Sequence, residues 1–415
     1  MPTSPNALSK TACCIIGGGP AGMMLGFLLA RDGHHVTVLE KHKDFFRDFR
    51  GDTIHPSTLQ LMHELGLLDA FLALPHQQIN GLSIAIGGNS FPMADFSHLP
   101  TQAKFIALMP QWDFLNFLAA QAAKLPTFRL LMEHEATSLI EDHNHRVTGV
   151  HVNNPSGPVD IPATLVVGCD GRNSTSRASA RLPVQETGVP IDVLWFRLSR
   201  GEGDPGNALG NINYGNFLIL INRGDYFQCG FLIAKDSFTT HIQPAGLPAF
   251  RASLTRLVPF LGASDSDGKA RVDEITDWSQ LKLLSVQVNH LIRWHRPGLL
   301  CIGDAAHAMS PVGGIGINLA IQDAVAAARI LSPTLSTGIV TELTLSHVQE
   351  RRELPTRITQ AFQVMIHRFL NKALGNPAPV KPPLALRLLS PHPLFRRTLA
   401  RFIGMGVRPE HIESH

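Results

Sequence analysis

In Ala12-Cys-Cys-Ile-Ile-Gly-Gly-Gly-Pro-Ala-Gly22, a short apolar run ends in a glycine-rich turn and leads into a stretch of small and apolar residues. The glycines have the spacing GxGxxG. In this pattern Gly17 allows a tight turn, Gly19 lets the backbone approach a pyrophosphate, and Gly22 lets a helix pack closely on the strand. The order of strand, glycine loop and helix predicts an α/β fold that binds a dinucleotide.

A second apolar run, His35-Val-Thr-Val-Leu39, follows the predicted helix and ends at the acidic Glu40. At the tip of this strand a carboxylate can accept hydrogen bonds from the ribose hydroxyls of adenosine. An acid at this position favours an unphosphorylated ribose, as in FAD or NAD. The candidate cofactor contacts of this unit are Gly17, Gly19, Pro20, Ala21, Gly22, Glu40 and Lys41.

Far downstream, an acidic turn and a loop rich in proline and glycine follow another apolar run: Gly298-Leu-Leu-Cys-Ile-Gly-Asp-Ala-Ala-His-Ala-Met-Ser-Pro-Val-Gly-Gly-Ile-Gly-Ile-Asn-Leu-Ala320. We expect a strand over 299–302 and a helix that begins near Ile317. Asp304, at the strand's carboxyl end, can accept hydrogen bonds from a sugar or ribityl hydroxyl. The glycines allow bare backbone to lie against a flat ring, and the positive end of the helix would stabilise an anionic reduced flavin. The candidate contacts here are Asp304, Pro311, Gly314, Gly316, Ile317 and Asn318.

A third segment, Leu165-Val-Val-Gly-Cys-Asp-Gly-Arg-Asn-Ser-Thr-Ser-Arg177, is an apolar run that ends in an Asp-Gly dipeptide. By itself, Asp170-Gly171 predicts only a turn. Together with the two segments above, it resembles the class A flavoprotein monooxygenases, the p-hydroxybenzoate hydroxylase-like family. The resemblance runs in the expected order from Cys13 to about Leu331. It implies that Asp170 and Arg177 support the flavin pyrophosphate region and the approach of a pyridine nucleotide.

The same resemblance implies two more cofactor contacts. Arg50, in Phe49-Arg-Gly51, precedes a predicted helix and corresponds to an arginine that reaches the FAD phosphates. Without the resemblance, a solvated arginine at a loop edge is an equal alternative. Gln111, in Met109-Pro-Gln-Trp-Asp-Phe-Leu115, corresponds to a glutamine or arginine that contacts the flavin.

The fold implied by the resemblance is α/β. A Rossmann-like FAD-binding domain of the p-hydroxybenzoate hydroxylase fold is interrupted by a mixed β-sheet substrate domain and followed by a helical carboxyl terminus. We assign residues 1–75, 106–182 and 291–345 to the FAD-binding domain, 76–105 and 183–290 to the substrate domain, and 346–415 to the helical segment. Strand-like runs at 193–198, 217–221 and 226–233, with a hairpin turn at 223–225, predict a sheet that can cover the flavin ring.

The activity implied by the resemblance is that of an FAD-dependent monooxygenase. NADPH or NADH would reduce FAD, and O₂ would form a C4a-hydroperoxyflavin that hydroxylates an aromatic or polyketide-like small molecule. The candidate catalytic residues are His307, Pro311, Arg197 and Tyr226. His307 can reach the active site or support the loop beneath it. Arg197 can bind an acidic substrate or, by strand alternation, face solvent.

Other flavoprotein classes are weighed against this hypothesis. A flavin oxidase or reductase of the same fold is not distinguished by the cofactor-binding residues. A flavin-dependent halogenase would carry a tryptophan-rich signature and a catalytic lysine, whereas Trp195, Trp278 and Trp294 stand singly. The monooxygenase therefore remains the favoured function.

The amino-acid composition limits the kinds of partner that we expect this protein to bind. The 36 Lys and Arg against 33 Asp and Glu leave a charge of +3, too small for a nucleic-acid-binding protein. The five cysteines show no CxxC or zinc spacing, which indicates reduced thiols, a cytoplasmic location and no metal site. In the basic and apolar tail, 384–408, a helix packed on the body is favoured over contact with a membrane surface. The expected partners are an aromatic small molecule and O₂.

Overall fold

A computed structural model describes residues 10–46, 53–201, 203–204, 210–264 and 268–412. Its strands form two large sheets and two small ones. In chain order they are β1 (Thr11–Ile16), β2 (Val36–Leu39), β3 (Thr53–Ile54), β4 (Gln77–Ile79), β5 (Gly81–Ile86), β6 (Asn89–Asp95), β7 (Ile106–Leu108), β8 (Phe128–Leu131), β9 (Glu135–Glu141), β10 (Val147–Asn154), β11 (Gly157–Gly168), β12 (Val184–Thr187), β13 (Ile191–Ser199), β14 (Gly210–Asn213), β15 (Asn216–Asn222), β16 (Tyr226–Ala234), β17 (Lys282–Ser285), β18 (Val288–Leu291), β19 (His295–Arg296) and β20 (Leu299–Cys301).

Helices pack on both large sheets and form most of the carboxyl-terminal segment. In chain order they are α1 (Pro20–Arg31), α2 (Pro56–Glu64), α3 (Leu68–Leu72), α4 (Gln111–Ala122), α5 (Thr175–Ser179), α6 (Gln243–Leu257), α7 (Gly316–Ser336), α8 (Glu342–Ala373), α9 (Leu384–Leu389) and α10 (Pro393–Met405). The fold class expected from the sequence is confirmed: helices and mixed sheets combine in an α/β architecture.

The first large sheet has the order β19-β20-β11-β1-β2-β8, and β10 and β9 extend it from β11. Its five central strands, β20, β11, β1, β2 and β8, are parallel. Parallel strands are normally covered on both faces, which explains why β1 and β2 are apolar and almost entirely buried. On one face α1 packs against α7 and α4. Gly26 lets α1 lie close to the sheet, because a Cβ there would lie 2.7 Å from the side chain of Val38 on β2.

The strand register brings four chain segments to one edge of this sheet. Ile16 pairs with Leu39 on one side and with Gly168 on the other, and Gly168 pairs with Cys301. These residues end or nearly end their strands, so the segments that follow begin side by side. In open α/β sheets, ligands bind at this carboxyl edge.

The second large sheet has the order β17-β13-β16-β15-β14-β5-β6. The predicted hairpin at 223–225 is present, because β15 and β16 pair as antiparallel neighbours on either side of it. One face packs on α6 through Phe196, Phe231 and Leu254. The other face, with Val193 and Trp195, is continuous with residues of α10 and of β7. All seven strands lie within the ranges assigned to the substrate domain, and the assignment of domain boundaries stays a prediction.

The carboxyl-terminal segment is helical and breaks near 374–383. Helix α10 packs against β6 and buries Ala400, Ile403 and Met405, which is the arrangement favoured from the sequence. One helix of the described residues, Val312–Ser336, is long and apolar enough to cross a membrane. It packs against α1 and α8 and is mostly buried, as expected of a core helix.

Candidate active site

The glycine loop after β1 has one tight side and one open side. Gly17 has a φ of +104°, and a Cβ there would lie 2.5 Å from the carbonyl oxygen of Cys169. A Cβ on Gly22 would lie 2.0 Å from the carbonyl oxygen of Gly17, so α1 approaches the loop as closely as its backbone permits. A Cβ on Gly19, by contrast, would have no other atom within 4 Å apart from those of its chain neighbours. The loop therefore leaves room for a phosphate at the position where the sequence predicts it, next to the start of α1 at Pro20.

Glu40 lies against this loop. Its carboxylate is buried and accepts hydrogen bonds from the backbone N–H of Gly18 (3.1 Å) and of His42 (3.0 Å). These bonds hold the carboxylate beside the turn, at the position where the sequence predicts the ribose of adenosine. Lys41 follows on the exposed surface.

The Asp-Gly turn after β11 is held by hydrogen bonds within the protein. Asp170 accepts from the hydroxyls of Ser174 (2.6 Å) and Ser176 (2.8 Å) and from the backbone N–H of Ser176 (2.9 Å). Arg177 donates to the carbonyl oxygens of Arg172 (2.5 Å) and Ala305 (3.3 Å). These contacts fix the turn and tie it to the segment after β20. Their predicted part in cofactor binding stays a prediction.

Asp304 forms an ion pair that the sequence did not reveal. The Nε of Arg172 lies 3.2 Å from Asp304 Oδ2, and both side chains are about one-third exposed or less. Arg172 also donates to the carbonyl oxygen of Met309 (3.5 Å). A guanidinium thus stands at the edge where Asp304 is expected to meet a hydroxyl of the cofactor. Only its position two residues after Asp170 could have suggested a role.

The predicted flavin loop, Pro311 to Asn318, is shaped by two glycines and by Thr53. Gly313 and Gly314 have φ values of +81° and +62°, in the left-handed region that favours glycine. A Cβ on Gly314 would meet the hydroxyl oxygen of Thr53 at 2.2 Å, and this hydroxyl donates to the carbonyl oxygen of Gly314 (3.0 Å). Bare backbone is therefore required at this point.

The side chain of Asn318 fastens the loop to α2. Its Oδ1 accepts from the backbone N–H of His55 (2.9 Å) and the hydroxyl of Thr58 (2.8 Å). Its Nδ2 donates to the carbonyl oxygens of Thr53 (3.1 Å) and Gly314 (3.2 Å). Since the first N–H groups of a helix have no partner within it, the backbone at Gly316, Ile317 and Asn318 can face a ligand.

The remaining cofactor candidates lie on other elements. Gln111 is the first residue of α4, and Pro110 stands at its N-cap. Arg50 lies outside the described residues.

His307 is held by buried contacts beneath the protein surface. It is buried, its Nε2 lies 2.5 Å from Asp323 Oδ2, and its ring packs on that of Trp294. Although burial alone would raise the pKa of Asp323, His307 and Arg352 lower it below its ordinary value. Of the two roles left open for His307, these contacts match support of the loop.

A cavity of about 210 Å³ lies between the β15–β16 hairpin of the second large sheet, the small sheet of β4 and β7, and the start of α4. Tyr226 and Arg223, on the β15–β16 hairpin, face Asp113 at the start of α4. The guanidinium of Arg223 donates to Gln228 Oε1 through Nε (3.2 Å) and Nη2 (3.1 Å). Arg197 is exposed, with its guanidinium 5.0 Å from the centre of the Tyr226 ring. The cavity is lined by Pro75, His76, Gln77, Leu108, Pro110, Asp113, Arg223 and Tyr226.

This cavity adjoins the predicted flavin loop. Leu108 pairs with Thr53, whose hydroxyl binds Gly314, and Pro110 precedes Gln111. A second cavity, of about 290 Å³, is lined by Lys10, His35 and Arg129 among others. It lies at the amino-terminal edge of the parallel strands, away from the glycine loop. We therefore associate the smaller cavity with the site.

The residues fit a dinucleotide that carries a flat ring. The space in front of Gly19, the carboxylate of Glu40 and the bare backbone at Gly313 and Gly314 all lie along the same edge or in the loop beside it. The described residues hold no cluster of three or more His, Cys, Asp or Glu side chains placed to bind a metal ion.

Comparison with known proteins identifies the class. The family described as FAD binding domain matches residues 10–362, and the chain belongs to this family. It is 30% identical over its whole length to the 6-methylpretetramide 4-monooxygenase of Streptomyces rimosus, of which it covers 96%. Over 85% of its length it is 28% identical to the 12-dehydrotetracycline 5-monooxygenase/anhydrotetracycline 6-monooxygenase of the same species, of which it covers 69%.

Solved structures show the same fold. The anhydrotetracycline hydroxylase from Streptomyces rimosus matches 98% of this chain and 78% of its own, with a TM-score of 0.72 and 23% identity. A probable FAD-dependent monooxygenase from Pseudomonas aeruginosa matches 89% of this chain and 98% of its own, with a TM-score of 0.72 and 22% identity. The protein is an FAD-dependent monooxygenase, and NAD(P)H is the electron donor typical of this family.

Proposed function

We propose that the protein hydroxylates a fused-ring aromatic compound of the polyketide type, with NADPH or NADH as electron donor. The observation that carries the proposal is the convergence of the glycine loop, Glu40 and the Arg172–Asp304 pair at one sheet edge, near a cavity that the β15–β16 hairpin of the second sheet helps to line. The full-length similarity to a 6-methylpretetramide 4-monooxygenase supports the substrate class.

The cofactor would be held by backbone more than by side chains. The open face at Gly19 would receive the pyrophosphate, Glu40 the ribose of adenosine, and Asp304 a ribityl hydroxyl. The loop from Pro311 to Asn318 would lie along the flat ring. Bound there, FAD would supply the redox chemistry and activate O₂, while the protein supplies position and excludes water.

The substrate would enter the cavity beneath the β15–β16 hairpin. Arg223 is oriented by Gln228, so its guanidinium presents fixed donors to a phenolic or carbonyl oxygen. Tyr226 adds a ring face and a hydroxyl, and burial raises the pKa of Asp113 on the opposite wall. A polar subsite of this kind suits a hydroxylated ring better than a purely hydrocarbon one.

The site of action we propose is the cytoplasm, since all five cysteines are free and four of them are buried.

The proposal is tested by following oxygen into a product. Purified protein with FAD is given NADPH or NADH, ¹⁸O₂ and a panel of simple phenols and fused-ring polyketides. We expect one compound to accelerate nicotinamide oxidation and to gain one ¹⁸O atom, measured by mass spectrometry. Nicotinamide oxidation with no ¹⁸O in any product would indicate an oxidase or reductase instead.

The proposed role of Arg223 in substrate binding is tested with a matched pair of arginine variants. Arg223→Met should raise KM for the accepted compound about ten- to hundredfold, because one charge-assisted hydrogen bond contributes about 1.5–3 kcal/mol. Arg256→Met is the control, since Arg256 lies over the ring of Tyr214 elsewhere in the sheet domain. Equal KM values for the two variants would remove Arg223 from the substrate site.

A further inference from the structure

Helix α8 carries a row of buried polar side chains. A helix that packs on a protein body usually buries an apolar stripe, as the amino-terminal part of α8 does with Leu345 and Val348. From residue 352 onward, the buried residues are mostly polar, with Pro355 and Leu370 as the exceptions. The polar ones are Arg352, Thr356, Thr359, Gln360, Gln363 and His367.

The carboxyl-terminal part of this row forms hydrogen bonds with the segment that leads into the predicted flavin loop. Gln363 accepts from the backbone N–H of Ser310 (3.1 Å) and donates to the carbonyl oxygens of Ser310 (3.0 Å) and Val312 (3.0 Å). His367 Nε2 lies 2.7 Å from the hydroxyl of Ser310, which also accepts from the N–H of Val312 (3.2 Å). Gln360 donates to the carbonyl oxygen of Ala308 (3.1 Å).

The proximal part of the row reaches the turn that carries Asp304. Arg352 donates through Nε to Asp323 Oδ1 (2.9 Å). The other oxygen of Asp323 accepts from the backbone N–H of Gly303 (3.1 Å) and lies against His307. The same helix thus contacts one end of the segment 303–312 directly and is linked to the other end through Asp323.

This segment needs partners from outside. It is neither strand nor regular helix, Pro311 lacks an N–H, and the glycines that follow adopt left-handed backbone. Buried backbone N–H and carbonyl groups that stay unpaired cost about 1–3 kcal/mol each. An apolar helix face would leave these groups unpaired, whereas the amide of Gln363 bonds three of them in one conformation.

We propose that Gln363 and His367 are positioning residues that hold the backbone of 308–312 so that Gly313 to Asn318 meet the flavin ring in the right place. Neither touches the predicted cofactor position itself. Both lie beyond residue 362, where the match to the FAD-binding family ends. Burial lowers the pKa of His367 to about 4, so the contact with Ser310 is between neutral groups at physiological pH. The inference rests on the proposed FAD site.

The test compares two glutamines of the same helix. Gln363→Met keeps the side-chain volume and removes the three hydrogen bonds to Ser310 and Val312. Gln349→Met is the matched control, because Gln349 accepts from the N–H of Trp294 (2.9 Å) and donates to the carbonyl oxygen of Ile292 (3.0 Å), outside the flavin loop. For each apoprotein we would measure the Kd for FAD, the visible spectrum and midpoint potential of bound flavin, and the thermal unfolding midpoint.

We expect both variants to unfold at lower temperatures, Gln363→Met by more because its three bonds are buried, and only Gln363→Met to bind FAD at least tenfold more weakly, which is about 1.4 kcal/mol. Its flavin band and midpoint potential should shift, because the backbone beside the ring has moved. Equal FAD affinity, spectrum and potential in the two variants would overturn the inference.

A milder variant keeps the test decisive if Gln363→Met does not fold. Ser310→Ala removes the hydroxyl shared by His367 and Val312, and we expect a rise of about threefold in the Kd for FAD. A Kd within the error of the wild type would contradict the proposal. Failure of the wild-type protein itself to bind FAD would instead refute the proposed function.

Discussion

Replacement of Asp304 by alanine separates binding of the cofactor from stability of the fold. The carboxylate of Asp304 pairs with the guanidinium of Arg172, and about one-third of each side chain is exposed to solvent. Exposed ion pairs contribute about 0–1 kcal/mol to folding, so the variant should unfold close to the wild type. A hydrogen bond from a hydroxyl to a carboxylate contributes about 1.5–3 kcal/mol to binding. We therefore expect the Kd for FAD to rise about ten- to hundredfold.

The assay is titration of apoprotein with FAD, followed by flavin fluorescence, beside thermal unfolding of the same samples. Asp277→Ala is the control, because Asp277 caps a short helix in the substrate domain by accepting from the N–H of Ser279 (2.8 Å). FAD affinity equal to that of the control variant would refute the placement of Asp304 at the cofactor. Loss of the fold in Asp304→Ala would show that its role is structural.

Three further outcomes are expected. Gly19→Val should fold normally and bind FAD at least tenfold more weakly. Gly22→Ala should instead lower the thermal midpoint of the apoprotein, because its Cβ would lie 2.0 Å from a backbone oxygen. Equal thermal midpoints for the two variants would contradict this. Arg352→Met removes a buried guanidinium that pairs with two buried carboxylates, Asp323 and Glu410, and should lower the free energy of unfolding, measured in urea, by about 3 kcal/mol; a loss under about 1 kcal/mol would contradict it. Burial lowers the pKa of His55 to about 4, so below its unfolded pKa of about 6.5 the unfolded state binds the extra proton. Stability should thus fall by about 1.4 kcal/mol per unit as pH drops from about 6 to 4.5, and His55→Gln should reduce this slope.

The parts of the fold that repeat a local pattern could be predicted from the sequence. The runs before Gly17, Glu40 and Asp304 are apolar enough to be buried on both faces, which indicates parallel strands. The carboxyl ends of parallel strands share one edge of a sheet, and the register places the strands that precede these residues in one parallel sheet. The hairpin at 223–225 follows from the same logic of alternating runs and a glycine turn.

The contacts that position the site were missed because they join residues far apart in sequence. Arg172 and Asp304 are separated by 132 positions, and no local pattern links them. The sequence predicts helix after residue 346 but not the role of its polar residues, of which the structure buries Gln363 and His367 against the segment that leads into the flavin loop. The sequence leaves open whether His307 reaches the active site or supports the loop, because its partner Asp323 lies on another element, α7.

The most direct test of the central claim is anaerobic stopped-flow absorbance of the purified holoprotein at the flavin band. The protein is mixed with NADPH or NADH in the presence and absence of fused-ring aromatic compounds. We predict that the nicotinamide bleaches the flavin and that an accepted compound accelerates bleaching at least tenfold, about 1.4 kcal/mol in the barrier. A flavin that stays oxidised with both nicotinamides across the panel, or a protein that cannot retain added FAD, would contradict the account.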